Sequence, residues 1–173
     1  LVTGGAGFIG SWTCDLLADL GARVICVDNL VTGSEKNLQN RNTNTQFINS
    51  DITNFEFKGD CDYIIHLAAI PSPLVYLERP IETLNTSIAG TKNILDIARR
   101  SNVKGFIFAS TSEVYGDPPA DMVPTSENFF GYVNSVGTRA AYYEGKRIAE
   151  TLCALYWKNY KIPVRIARLF NTY

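Results

Sequence analysis

Apolar residues along the chain fall into two kinds of run. Short runs rich in β-branched and aromatic residues occur at 1–4 (LVTG), 23–28 (RVICVD), 45–51 (TQFINSD), 62–69 (DYIIHLAA), 104–110 (KGFIFAS) and 163–170 (PVRIARLF), and each reads as a strand. Between them, 8–20, 80–100 and 139–160 carry apolar side chains at helical spacing; in 80–100 these are Ile81, Leu84, Ile88, Leu95 and Ala98. Several strand runs are apolar without alternation, so both faces of the sheet they form need cover. Strands joined by helical crossovers predict an α/β fold, a Rossmann-type doubly wound parallel sheet with helices on both faces. The polar, Pro-containing stretch 116–131 predicts a loop, and no repeat or linker divides residues 1–173, which are expected to form one domain.

Composition narrows the classes. Apolar residues make up 46% and charged residues 19% of the 173, the balance of a globular domain. A net charge of −1 gives no basic field for nucleic acid or an anionic membrane surface. Cys14, Cys26, Cys61 and Cys153 are scattered without metal-type spacing, so a reduced cytoplasmic protein without a metal site is expected. No run reaches the length of a membrane span, and LVTGG lacks a basic region followed by an apolar one, so the expectation is a soluble, unexported protein. His66 lies in an apolar strand and is expected to be a satisfied core residue, Trp12 and Trp157 are expected in the core, and Arg99, Arg100 and Lys104 are expected to complement a helix C-terminus.

Three motifs carry chemistry. In TGGAGFIG, Gly4, Gly7 and Gly10 have GxxGxxG spacing, and Gly5, Gly7 and Gly10 also allow GxGxxG. Such glycines let a strand turn sharply into a helix whose N-terminal N–H groups receive a pyrophosphate. Asp28 ends the second strand run eighteen residues after Gly10, where a carboxylate accepts ribose hydroxyls and repels a 2′-phosphate, favouring NAD over NADP. Asp51, at the end of the third, could meet the adenine edge or simply cap the strand. In YYEGK, Tyr142 and Lys146 are four apart and share a helix face, so the ammonium is expected to lower the phenol's pKa and make Tyr142 a usable base. In STSEVYGDP, Glu113 follows three small hydroxyl residues at a strand end, either facing a ligand at the carboxyl edge of the sheet or standing as an exposed carboxylate.

Taken in order, the glycine fingerprint, DNLVTGS, HLAA, STSEVYG, Tyr142-x-x-x-Lys146 and RLFNTY resemble the extended short-chain dehydrogenase/reductase family of nucleotide-sugar enzymes over essentially the whole chain. The resemblance implies a tightly held NAD and a UDP-sugar substrate. It places Gly4, Gly7, Phe8, Ile9 and Gly10 at the pyrophosphate, and Asp28 and Asn29 at the adenosine ribose. Thr32 and Gly33 would lie at the neighbouring phosphate region, Asp51 and Ile52 at adenine, and Leu67, Ala68 and Ala69 under the cofactor. Thr111, Glu113, Tyr142 and Lys146 would be catalytic, with Tyr142 and Lys146 also touching the cofactor; Tyr76, Ser112, Glu113 and Asn171 would contact the nucleotide sugar. HLAAIPSPLVY and YYEGKRIAETL are most similar to members that decarboxylate UDP-glucuronate, so C4 oxidation, decarboxylation and re-reduction are expected. The alternatives are a nucleotide-sugar 4,6-dehydratase or 4-epimerase, or a non-catalytic NAD-binding subunit completed by a partner. Ser112 stands where dTDP-glucose dehydratases carry an acid, which argues against that reaction, and Ser87 stands where the family usually has Asn. The family continues beyond this point into a smaller substrate domain, so the chain is expected to be truncated before it. The resemblance also implies a homodimer through helices 80–100 and 139–160, whose apolar stripes would otherwise be ordinary core.

Overall fold

A computed structural model describes residues 1–39 and 43–172. Six strands, β1 (Val2–Thr3), β2 (Val24–Asp28), β3 (Thr45–Asn49), β4 (Tyr63–His66), β5 (Gly105–Thr111) and β6 (Val164–Leu169), form one sheet in the order β3-β2-β1-β4-β5-β6. Every neighbouring pair is parallel. The order reverses direction between β1 and β4, the switch point at which an open α/β sheet leaves a crevice beyond its strand ends.

The crossovers are helical where the sequence spacing predicts it. Helix α1 (Phe8–Asp19) follows β1, and α5 (Ala140–Tyr160) leads into β6. The stretch predicted as one helix over 80–100 divides: α2 (Pro73–Glu78) precedes it, Pro80 starts α3 (Pro80–Asn85), and a π turn at Thr86–Gly90 leads into α4 (Thr91–Ser101). Asn102 in the left-handed region (φ 49°) ends α4. The amphipathic α4 buries Ile94, Leu95, Ile97 and Ala98, while its polar face pairs Lys92 with Asp96 at 2.8 Å. Each fully buried Ile or Leu contributes roughly 1.5–3 kcal/mol.

Two apolar clusters cover the sheet, one built on Ile64, Ile94, Leu95, Phe106, Phe108, Ala149 and Cys153, the other on Val2, Ala6, Cys14, Ala18, Val24 and Cys26. The second explains a departure from the sequence reading. Helix α1 turns its small residues inward, Gly10, Cys14 and Ala18 four apart, and so lies close to the sheet. That register points Trp12 outward, 68% exposed. Trp157 is likewise 58% exposed, because α5 buries the face of Tyr142, Lys146, Ala149, Cys153 and Tyr156. Neither tryptophan is core. Lys104 belongs to no helix terminus either: it follows α4 and pairs with Asp62 at 2.6 Å. No described helix is long and apolar enough to cross a membrane.

His66 is neutral and fully engaged. Its Nδ1 lies 2.6 Å from Thr3 Oγ1 and its Nε2 3.0 Å from Thr91 Oγ1, tying β4 to β1 and α4. Burial, reinforced by the nearby Lys146 charge, pushes its pKa down to about 3.

Candidate active site

At the carboxyl edge of the sheet lies a cleft of about 670 Å³, running from the β1–α1 turn to the end of β6. One end is built from backbone. Gly4 is left-handed (φ +71°), and a Cβ there would stand 2.6 Å from Ala68 N. A Cβ on Gly10 would stand 2.0 Å from Gly4 O, so only glycine lets α1 start this close under the turn. Gly7 caps α1 with extended backbone, and no acidic residue occupies the first turn to compete for its N–H groups. The result is a cradle for an anion.

Asp28 ends β2 beside this cradle. Its Oδ2 accepts from Ala6 N at 3.0 Å and its Oδ1 from Leu30 N at 2.8 Å, which fixes the carboxylate while leaving further lone pairs to face the cleft. Asn29, Thr32, Ile52, Leu67, Ala68 and Ala69 line the same cleft, as do Gly4, Gly7, Phe8, Ile9 and Gly10. Two residues named from the sequence do not. Gly33 stands behind Asp28, where a Cβ would come within 2.9 Å of Oδ1. Asp51 accepts from Thr53 N (2.8 Å) and Thr53 Oγ1 (2.6 Å) in its own loop and from Asn29 Nδ2 (2.8 Å) in the loop after β2. Partial burial pushes its carboxyl up, but those hydrogen bonds outweigh it and hold it below the usual range.

The other end carries the reactive side chains. Strand β5 ends at Thr111, whose Oγ1 accepts from Glu113 N at 3.2 Å and so caps the short 3₁₀ turn Ser112–Tyr115. This is why a hydroxyl residue precedes the glutamate: the cap makes the turn that delivers Glu113 to the cleft. Tyr142 and Lys146 reach the cleft from α5, Tyr76 from α2, and Ser112 and Asn171 line it as well. Tyr173, last residue of the RLFNTY stretch, lies outside the described residues.

The electrostatics differ from the sequence reading. Lys146, 4% exposed, donates from Nζ to Ala109 O at 2.6 Å and sits 4.8 Å over the Phe108 ring; burial pushes its pKa down to about 8. Tyr142 is raised, not lowered. Burial dominates, a hydrogen bond with Thr111 opposes it, and the Glu113 carboxylate and Tyr76 add to it. Lys146 directs its ammonium to the β5 carbonyl rather than to the phenol.

Sequence reasoning missed Arg139. Its Nη2 donates to Glu113 Oε1 at 2.7 Å and its Nε to the Tyr76 hydroxyl at 2.8 Å. The Tyr76 ring stacks on Tyr142 with centroids 5.2 Å apart and planes within 6°. The available signal was spacing: Arg139 is three residues before Tyr142, at the cap position of the same helix. Ser87 Oγ, at the Asn position of the resemblance, is buried without a hydrogen-bond partner among the described residues.

A model of the NAD dependent epimerase/dehydratase family matches residues 1–173. The chain belongs to this family. It is 45% identical to UDP-glucuronic acid decarboxylase 1 of Xenopus tropicalis, over all of this chain and 41% of that protein. Identity to UDP-glucuronic acid decarboxylase 4 of Arabidopsis thaliana is 44%, over all of this chain and 39% of that one. A solved structure of UDP-glucuronic acid 4-epimerase from Bacillus cereus in complex with NAD superposes with a TM-score of 0.85 at 33% identity, covering 99% of this chain and 56% of that one. The chain thus spans about two fifths of the curated relatives' length.

The family is NAD dependent, and the residues present fit that cofactor. The cradle at Gly4 and Gly10 has no room for a Cβ, α1 opens toward the cleft with its first N–H groups unopposed by acid, and Asp28 is fixed beside it.

Proposed function

We propose that the protein containing this chain is a UDP-glucuronate decarboxylase that binds NAD in the cradle and the nucleotide sugar across Tyr142, Thr111 and Glu113. NAD, when bound, supplies the chemistry that oxidises the sugar at C4 and later re-reduces it. In this reading Tyr142 takes the C4 hydroxyl proton while Thr111 hydrogen-bonds the same oxygen. A C4 ketone makes the C6 carboxylate a β-keto acid. The C5–C6 bond then breaks, its electron pair moves onto C5 and the adjoining carbonyl, and CO2 leaves. Glu113 orients the sugar and serves the proton added at C5, and Tyr142 returns its proton to the C4 oxygen. The net change is loss of CO2 and gain of one proton, giving a UDP-pentose.

The observation that carries the reading is Glu113, delivered by the Thr111 cap to the cleft that Tyr142 also lines, where its charge acts on the phenol. Epimerisation at C4 requires only oxidation and re-reduction, whereas chemistry at C5 and C6 calls for a further polar group at that end. The 45% identity to a UDP-glucuronic acid decarboxylase supports the same choice. Product identification by mass spectrometry and proton NMR tests it: a UDP-pentose from UDP-glucuronate supports the reading, and a UDP-hexuronate epimer overturns it in favour of a 4-epimerase. A 4-keto-6-deoxy sugar from a neutral nucleotide hexose would overturn it in favour of a dehydratase.

The proposal extends to a cytoplasmic homodimer with residues 1–173 as its NAD-binding domain. Apolar side chains left exposed on the helices, among them Ile81, Ile148 and Leu155, support the pairing. Light scattering that gives a monomer would refute it.

A further inference from the structure

Arg139 belongs to no motif read from the sequence, yet it touches two of the groups around the reactive phenol. It stands at the residue before α5, and its guanidinium spans the cleft mouth from Glu113 on the β5 turn to Tyr76 on α2. The two bonds come from two nitrogens of one rigid planar group, so fixing either partner orients the other. Tyr76 is almost fully buried, and its ring lies flat against Tyr142, so what holds the Tyr76 hydroxyl also holds the face against which Tyr142 packs.

We propose that Arg139 is the positioning residue of this site: it clamps Glu113 and Tyr76 about Tyr142 and balances the Glu113 carboxylate, keeping the phenol able to lose its proton. The groups facing Tyr142 are few. Thr111 offers a hydroxyl from the end of β5, Glu113 a carboxylate from the turn after it, Tyr76 a phenol from α2, and Arg139 a cation from the start of its own helix. Lys146, one turn further along, directs its ammonium to Ala109 O. Arg139 is therefore the exposed cation that offsets Glu113; the other cation among the residues lining the cleft, Lys146, is buried. A carboxylate beside a phenol opposes tyrosinate, a guanidinium favours it, and the two act in opposite directions on Tyr142. Lysine could restore the charge but not the fork that reaches both partners.

The inference rests on the assignment of Tyr142 as the proton acceptor, and the test separates the two. In the full-length protein with NAD bound, the near-ultraviolet phenolate titration is recorded for wild type, Arg139→Met, Arg139→Lys and Glu113→Gln/Arg139→Met. From each is subtracted the titration of the same protein carrying Tyr142→Phe. Arg139→Met should move the Tyr142 transition upward, because the guanidinium opposes the Glu113 charge at the phenol and the variant leaves that carboxylate unbalanced. Removing Glu113 as well should bring it back, and Arg139→Lys should leave it near wild type while lowering kcat/KM, because one partner is lost. An unmoved Tyr142 transition in Arg139→Met overturns the proposal. If Arg139→Met fails to fold, the lysine variant decides: kcat/KM equal to wild type overturns the proposal, and a loss at unchanged titration supports it. A phenol that shifts while the acid limb of kcat/KM stays in place upholds Arg139 as the positioning residue and removes Tyr142 from its role as base.

Discussion

Replacing His66 with Gln should flatten the acid side of the stability profile by an amount the structure specifies. The ring is buried, bridges Thr3 and Thr91, and has its pKa pushed down to about 3 from 6.5. Between those values the unfolded chain binds a proton that the folded chain excludes, so stability is fully present above pH 6.5 and falls as pH drops toward 3. One proton per molecule at 1.36 kcal/mol per unit gives a loss of about 2 kcal/mol between pH 7 and pH 5. Asp51, Asp96 and Glu150, held below their usual values by hydrogen bonds and neighbouring cations that outweigh burial, add to the loss chiefly below about pH 5. Urea unfolding of wild type and His66→Gln across that window isolates the histidine, since every other group is common to both. The variant is less stable at pH 7, where two hydroxyls lose a partner, and the gap narrows as pH falls, its slope between pH 7 and 5 being shallower by about 2 kcal/mol over the window. Equal slopes, or a native His66 that titrates near 6.5 by NMR, would refute the reasoning and with it the view of His66 as a neutral stitch beneath the glycine turn.

Other expectations follow from the same geometry. Gly10→Ala places a Cβ 2.0 Å from Gly4 O, so the turn must shift at a cost of roughly 1–3 kcal/mol, and calorimetry should show NAD affinity falling with it; unchanged affinity would contradict the cradle. Tyr142→Phe should retain NAD and lose about 10²–10⁴-fold in turnover, the usual contribution of a positioned acid–base group. Asp28→Ala should weaken NAD far more than NADP and strand the Ala6 and Leu30 N–H groups, lowering the melting temperature too; equal losses for the two cofactors would remove Asp28 from the ribose.

The fold was readable because both of its periodicities are strong. The apolar runs that became β2 and β5 admit no amphipathic helix, and the glycine turn announces β1 even though that strand is only two residues long. What was not readable depends on register and on contacts between distant segments. Trp12 looks like core until the small face of Gly10, Cys14 and Ala18 is seen to be the one that meets the sheet. The i, i+4 spacing of Tyr142 and Lys146 does place both in the cleft, but it cannot tell that the ammonium is taken up by Ala109 O, from a strand 37 residues away in sequence. Arg139 was invisible for the same reason: its partners, Glu113 and Tyr76, lie 26 and 63 residues off and meet it only when α2 and the β5 turn fold over the start of α5.

The most direct test of the central claim uses UDP-glucuronate carrying deuterium at C4 and ¹³C in the carboxylate, incubated with the full-length protein and NAD. Labelled CO2 in equal amount to a UDP-pentose that keeps its C4 deuterium is the predicted result, because the hydride leaves and returns within one site. A C4-epimerised uronate without labelled CO2, or a pentose that has lost the deuterium to solvent, would contradict the account.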